Sequence, residues 1–267
     1  MRLTIILSFL ILLFSSSLIA QESFSITTSN EIYKTLENSE ALNKLPWENE
    51  AFQLCIPFEF EFLYQPFDKI TIKDGRLSFD NNNWISPFGG VDLEDKGNIT
   101  GTFTSESPIS SIVVDELGLQ ILKIEFKNVG FYNGSYSDVA NFQVWLYSNN
   151  AIEFRYGNNQ VCSPASTFDK FSGPIIGVFN ENLDGLEGSQ ILGSNNFIRK
   201  NTLNNNKKFI VDAFQDIPAS GMMVHFEPEG NDMTAFAKRG DNYLIKSLPI
   251  QPLESITLTL KNKSYFM

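Results

Sequence analysis

His225 is the only histidine in the 267-residue chain, and this narrows the available chemistry at once. A nucleophilic Ser, Thr or Cys needs a positioned base to activate it. Along Met222–Phe226 the histidine alternates with Val224 and Phe226, so it points away from the apolar side of its strand. Zinc centres draw several Cys or His ligands together at recognisable spacings. Here there is one His, and the two cysteines, Cys55 and Cys162, form no CxxC pair. Carboxylates are plentiful, with 31 Asp and Glu, so acid pairs of the glycosidase kind arise by chance alone. Glu59/Glu61 and Glu125/Glu153 occupy outward strand positions, where solvated charge is the expectation. We therefore assign no catalytic residue. A carbohydrate-active hydrolase using two carboxylates is the alternative.

Two groupings could hold a ligand without reacting with it. Asp92, Glu94, Asp95 and Asn98 crowd oxygen donors into one loop after Gly89-Gly90. Hard cations such as Ca2+ take such ligands; the spacing is not that of an EF-hand, and an ordinary acidic loop has the same composition. Asp80–Asn83 repeats the pattern on a smaller scale. The second grouping is Gln143, Trp145, Tyr147 and Arg155, on the polar face of one hairpin, with Trp84 beside an Asn run as a further candidate. Aromatic rings flanked by hydrogen-bonding groups suit sugars. The competing reading is that Trp145 and Tyr147 pack under a loop or an N-terminal helix and build a second small core.

Strands must carry these groups, because period-2 alternation recurs along the chain. Phe58, Phe60 and Phe62 alternate with Glu59 and Glu61; Leu122, Ile124 and Phe126 alternate with Lys123, Glu125 and Lys127. Asp74-Gly75 predicts a type I′ hairpin pairing Lys73 with Arg76, Ile72 with Leu77 and Ile70 with Phe79. A three-residue loop, Ser148-Asn149-Asn150, predicts pairs Leu146/Ile152, Val144/Phe154 and Phe142/Tyr156, with an Asn in the left-handed conformation. Further strands are expected over Ile109–Val114, Ile175–Phe179, Phe209–Ala213, Met222–Phe226 and Ile256–Leu260. Glu31–Leu45, capped by Ser29 or Asn30, is the one helical candidate. The fold class that follows is all-β: an antiparallel β-sandwich or jelly roll with at most one short N-terminal helix.

Arg2, the apolar run Leu3–Phe14 and Leu18-Ile19-Ala20 before Gln21 read as a secretory signal peptide over 1–20, cleaved after Ala20. The run is shorter than the roughly 20 residues of a spanning helix, and no later segment is apolar enough to span a bilayer. Domain boundaries follow: an N-terminal extension over 21–51, the β-sandwich over 52–228, and a linker with a C-terminal tail over 229–267. The address is secreted, extracellular or outer cell surface, where Cys55 and Cys162 would form one disulfide; two separate buried thiols are the alternative. A net charge of −11 argues against nucleic acid and against anionic membrane surfaces.

Ile56–Phe60, Ile70–Phe79, Ile85–Phe88 with Val91–Leu93, Ile124–Val129, Asn141–Tyr147 and Ile152–Gly157 stand in an order that resembles secreted bacterial β-sandwich proteins similar to the NIDO domain of nidogen-type adhesion proteins. Gly89-Gly90 and Phe126 stand where that family has Trp. The resemblance runs over about residues 52–228 and implies an extracellular module of adhesion type with no catalytic reaction. Leu248–Pro252 is faintly similar to the start of a C-terminal sorting domain, which would make the tail a degenerate sorting signal. The function expected is a non-enzymatic binding module for an extracellular glycan or surface protein; a structural envelope component is the third reading.

Overall fold

Turn chemistry fixes much of the strand register. A computed structural model describes residues 23–63, 65–132, 134–168, 173–180, 190–192, 198–200, 214, 216–229, 232–239 and 242–249. In chain order the elements are β1 (Ser23–Asn30), β2 (Glu40–Ala41), β3 (Phe52–Cys55), β4 (Glu61–Phe62), β5 (Gln65–Pro66), β6 (Lys69–Lys73), β7 (Arg76–Ser78), β8 (Asn83–Gly89) and β9 (Leu93–Glu94). There follow helix α1 (Lys96–Thr100), β10 (Ile109–Glu116), β11 (Leu119–Phe131), β12 (Ala140–Tyr147), β13 (Ile152–Tyr156), helix α2 (Pro164–Thr167), β14 (Ile175–Asn180), β15 (Gln190–Leu192), β16 (Ile198–Lys200) and β17 (Met222–Glu229).

One sheet runs β1-β17-β13-β12-β11-β10-β2, with β9 pairing a further stretch of β11; the other runs β16-β15-β14-β8-β7-β6-β3. All pairings are antiparallel. The all-β sandwich class is therefore what the chain adopts. Lys73 pairs with Arg76 and Ile72 with Leu77, around Asp74 at φ 51° and Gly75 at φ 78°. A side chain at Gly75 would also strike Leu93, whose Cδ1 lies 2.4 Å from where a Cβ would stand. Leu146 pairs with Ile152, Val144 with Phe154 and Phe142 with Tyr156, with Asn150 in the left-handed region at φ 70°.

The inner faces of the two sheets close on Phe. Phe126 stacks on Phe142 at 4.5 Å, Phe142 meets Phe88 at 5.4 Å, and Phe62 stacks on Phe79 at 4.5 Å. Each ring taken fully out of water contributes about 1.5–3 kcal/mol. Tyr156 joins this core because its hydroxyl donates to the carbonyl of Pro87 at 2.8 Å. Residues 23–229 form one compact unit. The segment 21–51 therefore supplies sheet strands: β1 pairs β17 over its whole length, and β2 pairs β10.

The helix expected over Glu31–Leu45 does not form. That stretch has no helical turn, and Asn38 sits at φ 56°. A short helix needs an apolar stripe held against a core, yet Ile32 is 83% and Leu45 68% exposed. The backbone instead finds partners across the sheet. Glu31 N–H donates to Gly221 at 2.7 Å and Leu42 N–H to Ile109 at 2.8 Å. A separate unit contains the hairpin of β18 (Asp232–Arg239) and β19 (Asn242–Pro249), registered from Arg239 with Asn242 to Asp232 with Pro249. The signal peptide, the strands expected at Phe209–Ala213 and Ile256–Leu260, and the end of the tail lie outside the described residues.

Candidate binding site

Strand register assembles the outer face of the larger sheet row by row. One row reads Ile112, Lys123, Trp145, Glu153, His225 and Thr27 across β10, β11, β12, β13, β17 and β1. The next reads Ser110, Glu125, Gln143, Arg155, Met223 and Ser29. Outward positions normally face water, but Lys123, Glu125, Gln143 and Glu153 are all buried. The expectation of solvated Glu125 and Glu153 is thus corrected. What covers Glu125 and Gln143 is the chain that leaves β1: residues 31–37 cross this face as a strap.

Hydrogen bonds pin the strap. Tyr33 donates from its hydroxyl to Glu125 Oε1 at 2.9 Å, and Leu36 N–H donates to Oε2 at 3.3 Å. Gln143 Nε2 donates to the Lys34 carbonyl at 2.7 Å and to Glu125 at 2.8 Å. Trp145 Nε1 can only donate, and it does so to Gln143 Oε1 at 2.9 Å, which fixes the amide's orientation. Burial first, then the Glu125 carboxylate, pushes the Tyr33 hydroxyl far above the ordinary tyrosine range.

Trp145 is clamped. Lys123 Nζ lies 3.6 Å and Arg155 Cζ 3.7 Å from its ring centre. Two groups at that height over one ring face would collide, so the cations take opposite faces. Trp145 is therefore 9% exposed, with neither face free. Of the two readings of this face, a sugar-stacking platform and a second small core under a loop or helix, the clamped ring fits the second, beside a loop-like strap.

Each cation is held by carboxylates. Lys123 pairs with Glu116; Arg155 pairs through Nε with Glu153 and through Nη1 with Glu31 at 3.1 Å. His225 sits between Glu153 at 3.3 Å and Glu227 at 3.0 Å. Burial alone would raise the Glu153 carboxyl, but hydrogen bonds from His225 and the Arg155 guanidinium outweigh it, and the group is held below its ordinary range. His225 is raised, chiefly by its hydrogen bond to Glu153, against burial. Tyr147 packs edge-on to His225 with ring centres 6.2 Å apart, and burial raises its hydroxyl.

Beside the strap a cleft of about 520 Å3 opens on this floor, lined by Glu31, Ile32, Lys34–Glu37, Ile112, Val114, Lys123, Gln143, Trp145 and Arg155. Of the residues singled out from sequence, Gln143, Trp145 and Arg155 meet here; Tyr147 stands two residues beyond Trp145 on β12. Sequence reasoning missed Glu31, Lys123 and the strap. The signal for Lys123 was the β11 alternation, once β11 is known to pair with β12 in that register.

The other candidates lie elsewhere. Trp84 stacks on Phe179 at 3.8 Å, with Arg76 Cζ 5.1 Å from its ring centre. Asp95 is fully buried; as N-cap of α1 it accepts from Gly97, Glu106 and Ser107 N–H groups and from the Ser105 hydroxyl. Its lone pairs are used up in folding the loop. Asn98 donates to the Trp47 carbonyl at 2.9 Å. Glu94 is buried and its carboxyl is raised, by burial first and by Glu48 second; Asp92 is exposed. Asp80 caps its own turn through Asn82 and Asn83 N–H. Among the described residues no cluster of acidic, His or Cys side chains is arranged to hold a metal. The expected disulfide is absent. Cys55 ends β3, which lies at an edge of the smaller sheet, while Cys162 lies in the loop after β13 beside Ser137; both are exposed free thiols. No helix among the described residues is long and apolar enough to cross a membrane.

Two antiparallel sheets closed on a Phe core, with a strapped outer face and a cleft beside the strap, define a β-sandwich. The profile of the NIDO-related family matches residues 23–228, and the chain belongs to that family. No curated protein and no solved structure shows significant similarity to it.

Proposed function

We propose that this protein is a non-enzymatic binding module of adhesion type, secreted or held at the cell surface, and that its ligand seats in the cleft beside the strap. The observation that carries the reading is the cleft's floor. Lys123, Trp145 and Arg155 are locked together by cation–π contacts and ion pairs, so polar groups are presented in fixed geometry without reorganisation on binding. The same ion pairing argues for binding over catalysis. A general base needs a free oxygen or nitrogen within reach of the substrate, whereas both carboxylate oxygens of the buried Glu153 are engaged, one by Arg155 and the other by His225. The secreted address rests on residues 1–20. The ligand is an extracellular glycan or surface protein.

The test is an array of immobilised glycans and extracellular matrix proteins probed with the mature chain and with Thr35→Trp. Thr35 is exposed and lines the cleft, so the larger side chain fills it without touching the core. Binding by the parent and its loss in Thr35→Trp is the expected outcome. Ligand cleavage, or binding indifferent to Thr35→Trp, would overturn the reading.

A further inference from the structure

We propose that the cleft recognises a sugar acid, and that Glu31 occupies the place of the ligand's carboxylate when the cleft is empty; this rests on the cleft being the ligand seat. The guanidinium of Arg155 has two usable edges. Its Nε is committed to Glu153, which is buried at the base of the sheet, and its plane is committed to Trp145. Nη1 is different. Its partner is Glu31, whose side chain is 54% exposed and belongs to the strap, not to the sheet. A half-exposed ion pair of this kind is worth little in water and is readily exchanged. The arginine would therefore remain in place, desolvated and oriented, while its carboxylate partner is replaced by another. Guanidinium prefers a carboxylate to a neutral acceptor, so the incoming group is an acid.

The same floor argues for a sugar as the carrier of that acid. Both faces of Trp145 are taken, so a neutral sugar has no ring to stack on, and recognition has to come from charge and hydrogen bonding. A peptide read through its main chain needs a free strand edge. Ile112 and Val114 of the outer strand β10 line the cleft, but the polar groups on its floor, Lys123, Gln143 and Arg155, stand on β11, β12 and β13, interior strands paired on both sides. What they present is side chains, which suit hydroxyls and a carboxylate. A cleft of about 520 Å3 lies within the range that holds small ligands.

Calorimetry with trisaccharides of galacturonate, glucuronate and mannuronate, and with their carboxyl-reduced neutral counterparts, tests the proposal on the parent chain, Glu31→Gln and Thr35→Trp. Glu31→Gln removes the competing carboxylate and should tighten at least one uronate about 2- to 5-fold, leaving neutral sugars unchanged. If Glu31 served only to hold the strap, the same substitution would weaken binding of every ligand, and the proposal would fail. It also fails if neutral sugars bind as well as uronates, or if none of the three uronates binds. Neutral binding that Thr35→Trp abolishes would overturn the acid preference while leaving the cleft as the ligand seat; uronate binding indifferent to Thr35→Trp would overturn both.

Discussion

Raising the pH from about 6 to about 9 should weaken the folded domain through His225. The histidine lies between two carboxylates, and its folded value stands above the ordinary 6.5. Stability from such a group is fully present below the unfolded value and is lost as pH climbs through the folded one. Glu153 works in the opposite direction. Its folded value lies below the ordinary 4.5, so its contribution is present above 4.5 and lost as pH falls further. Both contributions are therefore whole between 4.5 and 6.5. A charge-assisted hydrogen bond contributes about 1.5–3 kcal/mol when shielded, but His225 is 28% exposed, and screening brings the expected loss to about 1 kcal/mol. With a urea slope of about 2 kcal/mol/M, the midpoint should drop by about 0.5 M. Urea unfolding followed by tryptophan emission, for the parent chain and for His225→Gln, measures it. The variant should lack this part of the decline. A midpoint level from about pH 6 to about pH 9 in the parent, or an equal fall in both chains, would refute the ion-pair reasoning.

Further consequences can be read in the same unfolding experiments. Trp145→Ala should cost about 3–5 kcal/mol, because it empties the space between the two cations as well as removing apolar area; a loss below about 1 kcal/mol would mean the clamp is not formed. Leu117 sits at φ 55° in the two-residue turn of β10 and β11 and is fully exposed. Leu117→Asn should stabilise the chain by about 1 kcal/mol, seen as a raised urea midpoint. Asp95→Ala removes the acceptor of three backbone N–H groups and the Ser105 hydroxyl and should destabilise by about 2–4 kcal/mol; excess Ca2+ or a chelator should leave the parent's melting temperature unchanged. Cys55 and Cys162 should both react with a thiol reagent in the native state, whereas an unreactive native chain would indicate a bridge.

Hairpins were legible where the turn residues declare themselves. Asp74-Gly75 and the Asn before Ala151 tolerate positive φ, and both registers follow from them. The β10–β11 hairpin was hidden because Leu117-Gly118 puts an apolar residue at a position that favours Asn or Gly. β1 could not be seen as a sheet strand, because its partner β17 lies some 200 residues away and pattern within a segment carries no pairing information. Alternation placed Gln143, Trp145, Glu153 and Arg155 on one face correctly, since period and register decide that. It could not say what covers the face. Apart from the Tyr33 hydroxyl, the strap's hold on Glu125 and Gln143 comes from backbone groups at Lys34 and Leu36, which every residue type but proline carries. Nor could composition distinguish an acidic loop that binds cations from one in which Asp95 satisfies its own backbone.

The most direct test of the cleft as ligand seat uses the chain's three tryptophans, labelled as 5-fluorotryptophan and assigned by single Trp→Phe variants. Trp47 is buried against the Ser107 carbonyl, Trp84 lies on the smaller sheet, and Trp145 forms the cleft's floor. Adding the ligand found on the array should shift the fluorine resonance of Trp145 and leave the other two in place. A shift confined to Trp84, or saturating binding with no change at Trp145, would contradict the account.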